Sequence, residues 1–211
     1  MKRLKIFLIQ IFLISAIFFT NKFALAQDNA TNQIAFKNSY LSEFCRDYKK
    51  AFETLQNIYD EKSYEINLRM GWLAYLKEEY IESISFYQKA INILPLSVEA
   101  RFGIIYPATT LQKFGFIKTQ YEEIIKLQPN NCNANYNLGY IYYKEENYKE
   151  AIKYLEIALN QYPFDYNINC ILAMTNYKLG KLTEAKTIFN KVLLIKPNDI
   201  YATVGLSLID L

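Results

Sequence analysis

Four of the five prolines stand in register: Pro95, Pro129, Pro163 and Pro197 are each 34 residues apart. A fixed period of this length marks a chain built from stacked supersecondary units. The segments ahead of these prolines align without a gap. Residues 132–165 hold Leu138-Gly139, Tyr142, Tyr148, Ala151-Ile152, Leu155, Ala158 and Pro163. Residues 64–97 answer with Met70-Gly71, Tyr80, Ser83-Ile84, Tyr87, Ala90 and Pro95. Residues 166–199 give Leu172-Ala173, Gly180, Leu182, Ala185, Phe189 and Pro197. Apolar residues fall three and four apart, so each half-repeat is an amphipathic helix of about 13 residues, roughly 20 Å long. Gly71, Gly139 and Ala173 are small where the two helices of a hairpin approach, and Ala90 and Ala158 where one hairpin meets the next. Each proline closes a second helix, because it lacks an N–H and restricts the residue before it. One hairpin cannot bury its apolar face alone; stacking buries it.

These residues carry a resemblance to the tetratricopeptide repeat family, whose pattern is Leu-Gly, Tyr, Ala, an aromatic and Pro. The resemblance implies an all-α fold, a right-handed α-solenoid of antiparallel helical hairpins. Full repeats are expected at 64–97, 132–165 and 166–199, with a degenerate one at 98–131. There Ile105 takes the place of the small glycine, Ile117 and Ile124 replace alanines, and Pro107 lies inside the first helix. An interior proline costs about 3 kcal/mol, which predicts a kink or break near Tyr106-Pro107. Residues 27–63 read as a divergent N-terminal hairpin, in which Tyr48 and Ala51 match the pattern but no Leu-Gly pair occurs. Residues 200–211 read as one last short helix. It carries Tyr201, Val204, Leu206, Leu208, Ile209 and Leu211 and almost no charge, a poor cap for a solenoid end.

Residues 1–26 have the three parts of a secretory signal. Lys2, Arg3 and Lys5 precede an apolar run from Ile6 to Phe19, and Ala24-Leu25-Ala26 supplies the small-x-small pattern for cleavage after Ala26. The run is short for a bilayer span, which needs roughly 20 apolar residues. The expected location is therefore periplasmic or secreted, with no membrane-spanning segment after cleavage. Four of the 24 basic residues and none of the 21 acidic ones lie in this leader, leaving 20 basic against 21 acidic residues. Nucleic acid is not an indicated partner, since phosphate binding needs a clustered positive surface.

The chain has no histidine, so a Cys/His zinc site or a Cys–His nucleophile is excluded. Gly-rich phosphate loops and nucleophile elbows are missing as well. Neither a catalytic residue, a metal site nor a cofactor is expected. Cys45, Cys132 and Cys170 read as small buried apolar residues, with a Cys132–Cys170 bridge as the sharper alternative.

In the family it resembles, first helices line a concave, ligand-holding side. The places so implied carry Leu68, Trp72 and Tyr75, then Phe102 and Tyr106. They continue with Asn133, Tyr136, Tyr140, Tyr143 and Lys144, then Asn167, Met174, Tyr177 and Lys178. This is an aromatic stripe with amide and lysine edges, and such rings dominate binding hot spots. Lys144 and Lys178 sit where family members that clamp carboxylate tails place basic residues, with Asn137 nearby. The other clamp places hold Leu, Phe, Tyr and Cys, so a protein or peptide ligand on an aromatic groove is the better expectation. The rival readings are a subunit self-associating through residues 200–211 and a glycan- or lipid-binding groove.

Overall fold

The computed structural model describes residues 29–210, so the leader read at 1–26 lies outside the described residues. Every regular element among the described residues is an α-helix. The described residues divide into two compact units, 29–94 and 95–210. Unit one holds α1 (29–44), α2 (Tyr48–Gln56), α3 (Tyr64–Leu76) and α4 (Tyr80–Ile93). Unit two holds α5 (Val98–Thr110), α6 (Phe114–Leu127), α7 (Cys132–Lys144), α8 (Tyr148–Gln161), α9 (Tyr166–Lys178), α10 (Leu182–Ile195) and α11 (Ile200–Ile209). No helix among the described residues is long and apolar enough to cross a membrane.

The period reappears as physical chemistry at the helix ends. Ser63, Ser97, Asn131, Asp165 and Asp199 cap successive first helices, and each side chain accepts a hydrogen bond from the backbone N–H three residues on. Such caps satisfy donors that the helix itself leaves orphaned. Of the second helices in these repeats, α4, α6 and α10 have no side-chain cap. The turn before each of the four second helices, the capped α8 included, holds a left-handed residue: Glu78, Gln112, Glu146 and Gly180, with φ of 65°, 54°, 59° and 73°. Arg46, with φ of 61°, is their counterpart between α1 and α2. The N-terminal pair is therefore the same hairpin, offset by 32 residues instead of 34. Ser39, fully buried, then stands in the place of Gly71.

A second periodic device lies one turn inside the first helices. Asn67 Nδ2 donates to the carbonyls of Glu61 (3.0 Å) and Ser63 (2.7 Å). Asn135 bonds those of Pro129 and Asn131 (both 2.9 Å), and Asn169 those of Pro163 (3.0 Å) and Asp165 (2.6 Å). All three amides are buried and pin the inter-repeat turn to the helix it enters. Arg101, at the same register, reaches the carbonyl of Pro95 at 3.1 Å.

In unit one the core joins Ala51, Phe52 and Leu55 of α2 to Ile66, Met70, Leu73 and Ala74 of α3 and Phe86 of α4. Burying each of the larger of these side chains contributes about 1.5–3 kcal/mol. In unit two, Ala151, Ile152 and Leu155 of α8 pack with Leu172 of α9, and Ala173 and Cys170 with Phe189, Val192 and Ala202. The small residues are needed for closeness. A Cβ added at Gly71 would lie 2.9 Å from the Tyr87 ring, and one at Gly139 would lie 2.8 Å from Leu155 Cγ. Ile105 at this register requires room, so α5 and α6 cannot approach as the other pairs do.

Two expectations are corrected. Helix α5 runs through Pro107 without a break. Pro107 forfeits one backbone hydrogen bond, the one its N–H would have given to the Gly103 carbonyl, and its burial beside the fully buried Ala108 offsets that loss. The cysteines form no bridge: all three are free thiols, Cys45 exposed and Cys170 buried. Cys132 Sγ instead lies 3.8 Å from the carbonyl of Ala158.

Candidate functional site

Of the fourteen residues expected on the ligand side, Leu68, Trp72 and Tyr75 fall in unit one and eleven in unit two. In unit one, Trp72 already has an intramolecular partner on α1. The Trp72 indole N–H donates to Glu43 Oε1 at 2.7 Å, and Glu43 also pairs with the buried guanidinium of Arg69. That guanidinium lies 3.9 Å from the centre of the Tyr40 ring. Trp72 is half-buried against the core, with the Tyr75 ring 5.6 Å away. Its first duty is to hold α1 on α3.

Unit two presents a more open surface. On α7, Asn133 and Asn137 are followed one and two turns later by Tyr140 and Lys144; Asn133, Tyr140 and Lys144 are exposed. Tyr136 stacks on Tyr140 with centroids 6.5 Å apart and planes 17° from parallel. Tyr143 leans to α9, its hydroxyl 3.8 Å from Met174 Sδ. Asn167 and Lys178 are exposed at the two ends of α9, while Met174 and Tyr177 are half-buried against the C-terminal core. Tyr106 is exposed on α5, and Phe102 packs edge-on against Tyr121 at 6.4 Å. Burial pushes the Tyr121 hydroxyl up to about 12, so it stays a neutral donor.

At the N-terminal ends of α7 and α9 the surface deepens into a cleft of about 450 Å³. Its lining is Cys132, Asn133, Tyr136, Asn137, Tyr162, Asp165, Asn167 and Ile168. Burial raises the pKa of the Tyr136 and Tyr143 hydroxyls, and of the Cys132 thiol, so these groups stand protonated at neutral pH. The cleft thus offers two aromatic rings, three side-chain amides and one carboxylate. Amides both donate and accept, which matches the alternating groups of a peptide backbone. No group of three or more Cys, Asp and Glu residues among those described is placed to hold a metal ion.

Sequence reasoning found the Asn133, Tyr136 and Asn167 side of this cleft but not Tyr162, Asp165 or Ile168. Tyr162 and Asp165 flank Pro163 in the inter-repeat turn, which looked like a helix stop and nothing more.

Comparison with known proteins separates fold from role. Residues 120–192 match the family model described as anaphase-promoting complex, cyclosome, subunit 3. A TPR repeat-containing protein of Methanocaldococcus jannaschii is 33% identical over 132 residues, 58% of this chain. The chain spans about a quarter (23%) of that relative's length. A solved tetratricopeptide repeat protein from Parabacteroides merdae superposes with a TM-score of 0.72 at 17% identity, over 85% of this chain and 72% of that one. The chain has the tetratricopeptide repeat fold. MamA is a further structural relative of this repeat protein, with a TM-score of 0.69 at 18% identity over 80% of this chain and 93% of MamA. So is YrrB, a TPR protein with an unusual peptide-binding site, at 0.68 and 15% over 82% and 90%. At these identities the solved structures show the tetratricopeptide fold alone.

Proposed function

We propose that this chain is a non-catalytic adaptor that holds an extended protein or peptide segment on the first-helix face of unit two. The observation that carries the reading is the α7–α9 cleft. There Asn133, Asn137 and Asn167 line the cleft together with Tyr136, and the exposed ring of Tyr140 follows one turn on. A peptide needs paired donors and acceptors along its backbone and an apolar floor for its side chains. This surface supplies both, and one structural relative is a TPR protein with a peptide-binding site. The leader-like segment at 1–26 supports placement outside the cytoplasm, periplasmic or secreted, for the adaptor.

Selection from a displayed random-peptide library tests this reading. Wild-type chain enriches a family of sequences, and Asn133→Ala with Tyr140→Ala, helicity unchanged, loses at least tenfold of that enrichment. Equal enrichment by both proteins overturns the assignment of the face.

A further inference from the structure

The interface that stacks one hairpin on the next has two complementary halves, and the chain presents one of each without a mate among the described residues. The first half belongs to α11. Its cap Asp199 and fully buried Ala202 stand 34 residues after Asp165 and Ile168, so Ile200, Val204 and Leu208 take the register of Tyr166, Cys170 and Met174. In α9 those three residues are what α11 packs on. Tyr166 donates to Asp199 at 2.7 Å, and Cys170, Tyr166 and Met174 share a core with Ala202, Leu206 and Ile209. In α11 the same face is open: Cys170 is 6% exposed, whereas its counterpart Val204 is 49% exposed. No charged residue lies between Asp199 and Asp210.

The second half belongs to α1. The left-handed turn residues Arg46 and Glu78 set the 32-residue offset, which puts Ile34 and Leu41 at the register of Ile66 and Leu73. Ile66 and Leu73 are 2% and 0% exposed, covered by Ala51, Phe52 and Leu55 of the preceding hairpin. Ile34 and Leu41 are 61% and 55% exposed. Both faces are apolar and uncovered among the described residues.

We propose that a second copy of this chain docks head-to-tail, its Ile34 and Leu41 seated on Ile200, Val204 and Leu208 of the first. The contact repeats the first-helix-to-first-helix part of the interface, the part that α9 and α11 make through Tyr166, Cys170 and Met174. It is heterologous, so it propagates from copy to copy. It leaves the α7–α9 cleft out of the contact, so its failure and that of the peptide reading are separate.

Sedimentation velocity over a concentration series decides it. The wild-type chain shows a mean mass that climbs beyond a dimer. Leu41→Glu and Val204→Glu, each alone, remain monomeric, and an equimolar mixture of the two yields a 1:1 dimer and nothing larger, because one good half survives on each. Ile34→Gln and Leu208→Gln replace this pair if circular dichroism shows either glutamate variant to have lost helix. A wild-type chain that is monomeric throughout overturns the proposal and points to a different partner for these faces. Self-association of either single variant also overturns it, since that requires like faces to pair.

Discussion

At the scale of single residues, Tyr166 and Asp199 show how one hydrogen bond joins two functions. Asp199 caps α11 through the Ala202 N–H, 3.0 Å away, and accepts the Tyr166 hydroxyl at 2.7 Å, tying α9 to α11. Burial alone would raise the carboxyl's pKa, but hydrogen bonds from Tyr166, the Ala202 N–H and Lys196 hold it below the usual range. A carboxyl so depressed stabilises the fold above its unfolded value of about 3.9. That stabilisation is lost as pH falls through the lower folded value. The stability gap between wild type and Asp199→Asn, measured by urea melts, therefore narrows on acidification below about pH 4. The Tyr166 hydroxyl is raised by the same bond, so its contribution is present below about pH 10 and disappears as pH climbs through the higher folded value. Tyr166→Phe costs about 1.5–3 kcal/mol at neutral pH, the range for a hydrogen bond to a charged group; a loss under 0.5 kcal/mol on that scale would show the bond to be idle. Gly205 is the other sensitive point. A Cβ there would collide with the buried ring of Phe189, which has nowhere to retreat, so Gly205→Ala destabilises unit two by about 1–3 kcal/mol in the same melts.

At the scale of helices and turns, the hairpins were legible and their joints were not. The prolines, the small residues at 71, 139 and 173 and the three-and-four spacing predict α3–α4 and α7–α10, because burial imposes that pattern on any stacked pair. Arg46, Glu78, Gln112 and Glu146 gave no sign of positive φ, since the shape of the turn, not their chemistry, forces it; Gly180 alone was a recognisable signal. The buried amides at 67, 135 and 169 recur at the same period yet stayed hidden, because a search for apolar periodicity passes over asparagine. Glu43, the partner of the Trp72 indole, stayed hidden as well, because it lies 29 residues away on a helix with weak repeat character. The left-handed residues make a test of the joint itself. A non-glycine residue in that conformation costs about 1–2 kcal/mol, so Glu146→Gly, at an exposed position, raises the melting temperature of the chain. A lowered one would mean that the Glu146 side chain has a stabilising role.

At the scale of the whole molecule, unit two is where we propose that the ligand binds. In unit one, α1 engages the same register through Glu43, Arg69 and Trp72. In unit two, α7 and α9 leave theirs open, with polar amides at one end of the face and Lys144 and Lys178 at the other. Burial keeps the Tyr136 hydroxyl protonated, a donor suited to a surface that recognises shape and hydrogen bonds. A photoreactive amino acid placed at position 140 on α7, compared with position 149 on the exposed flank of α8, tests this account most directly. In the native host the account predicts one discrete crosslinked protein from position 140 and none from position 149. Crosslinking that is equal at both positions, or confined to 149, would contradict it.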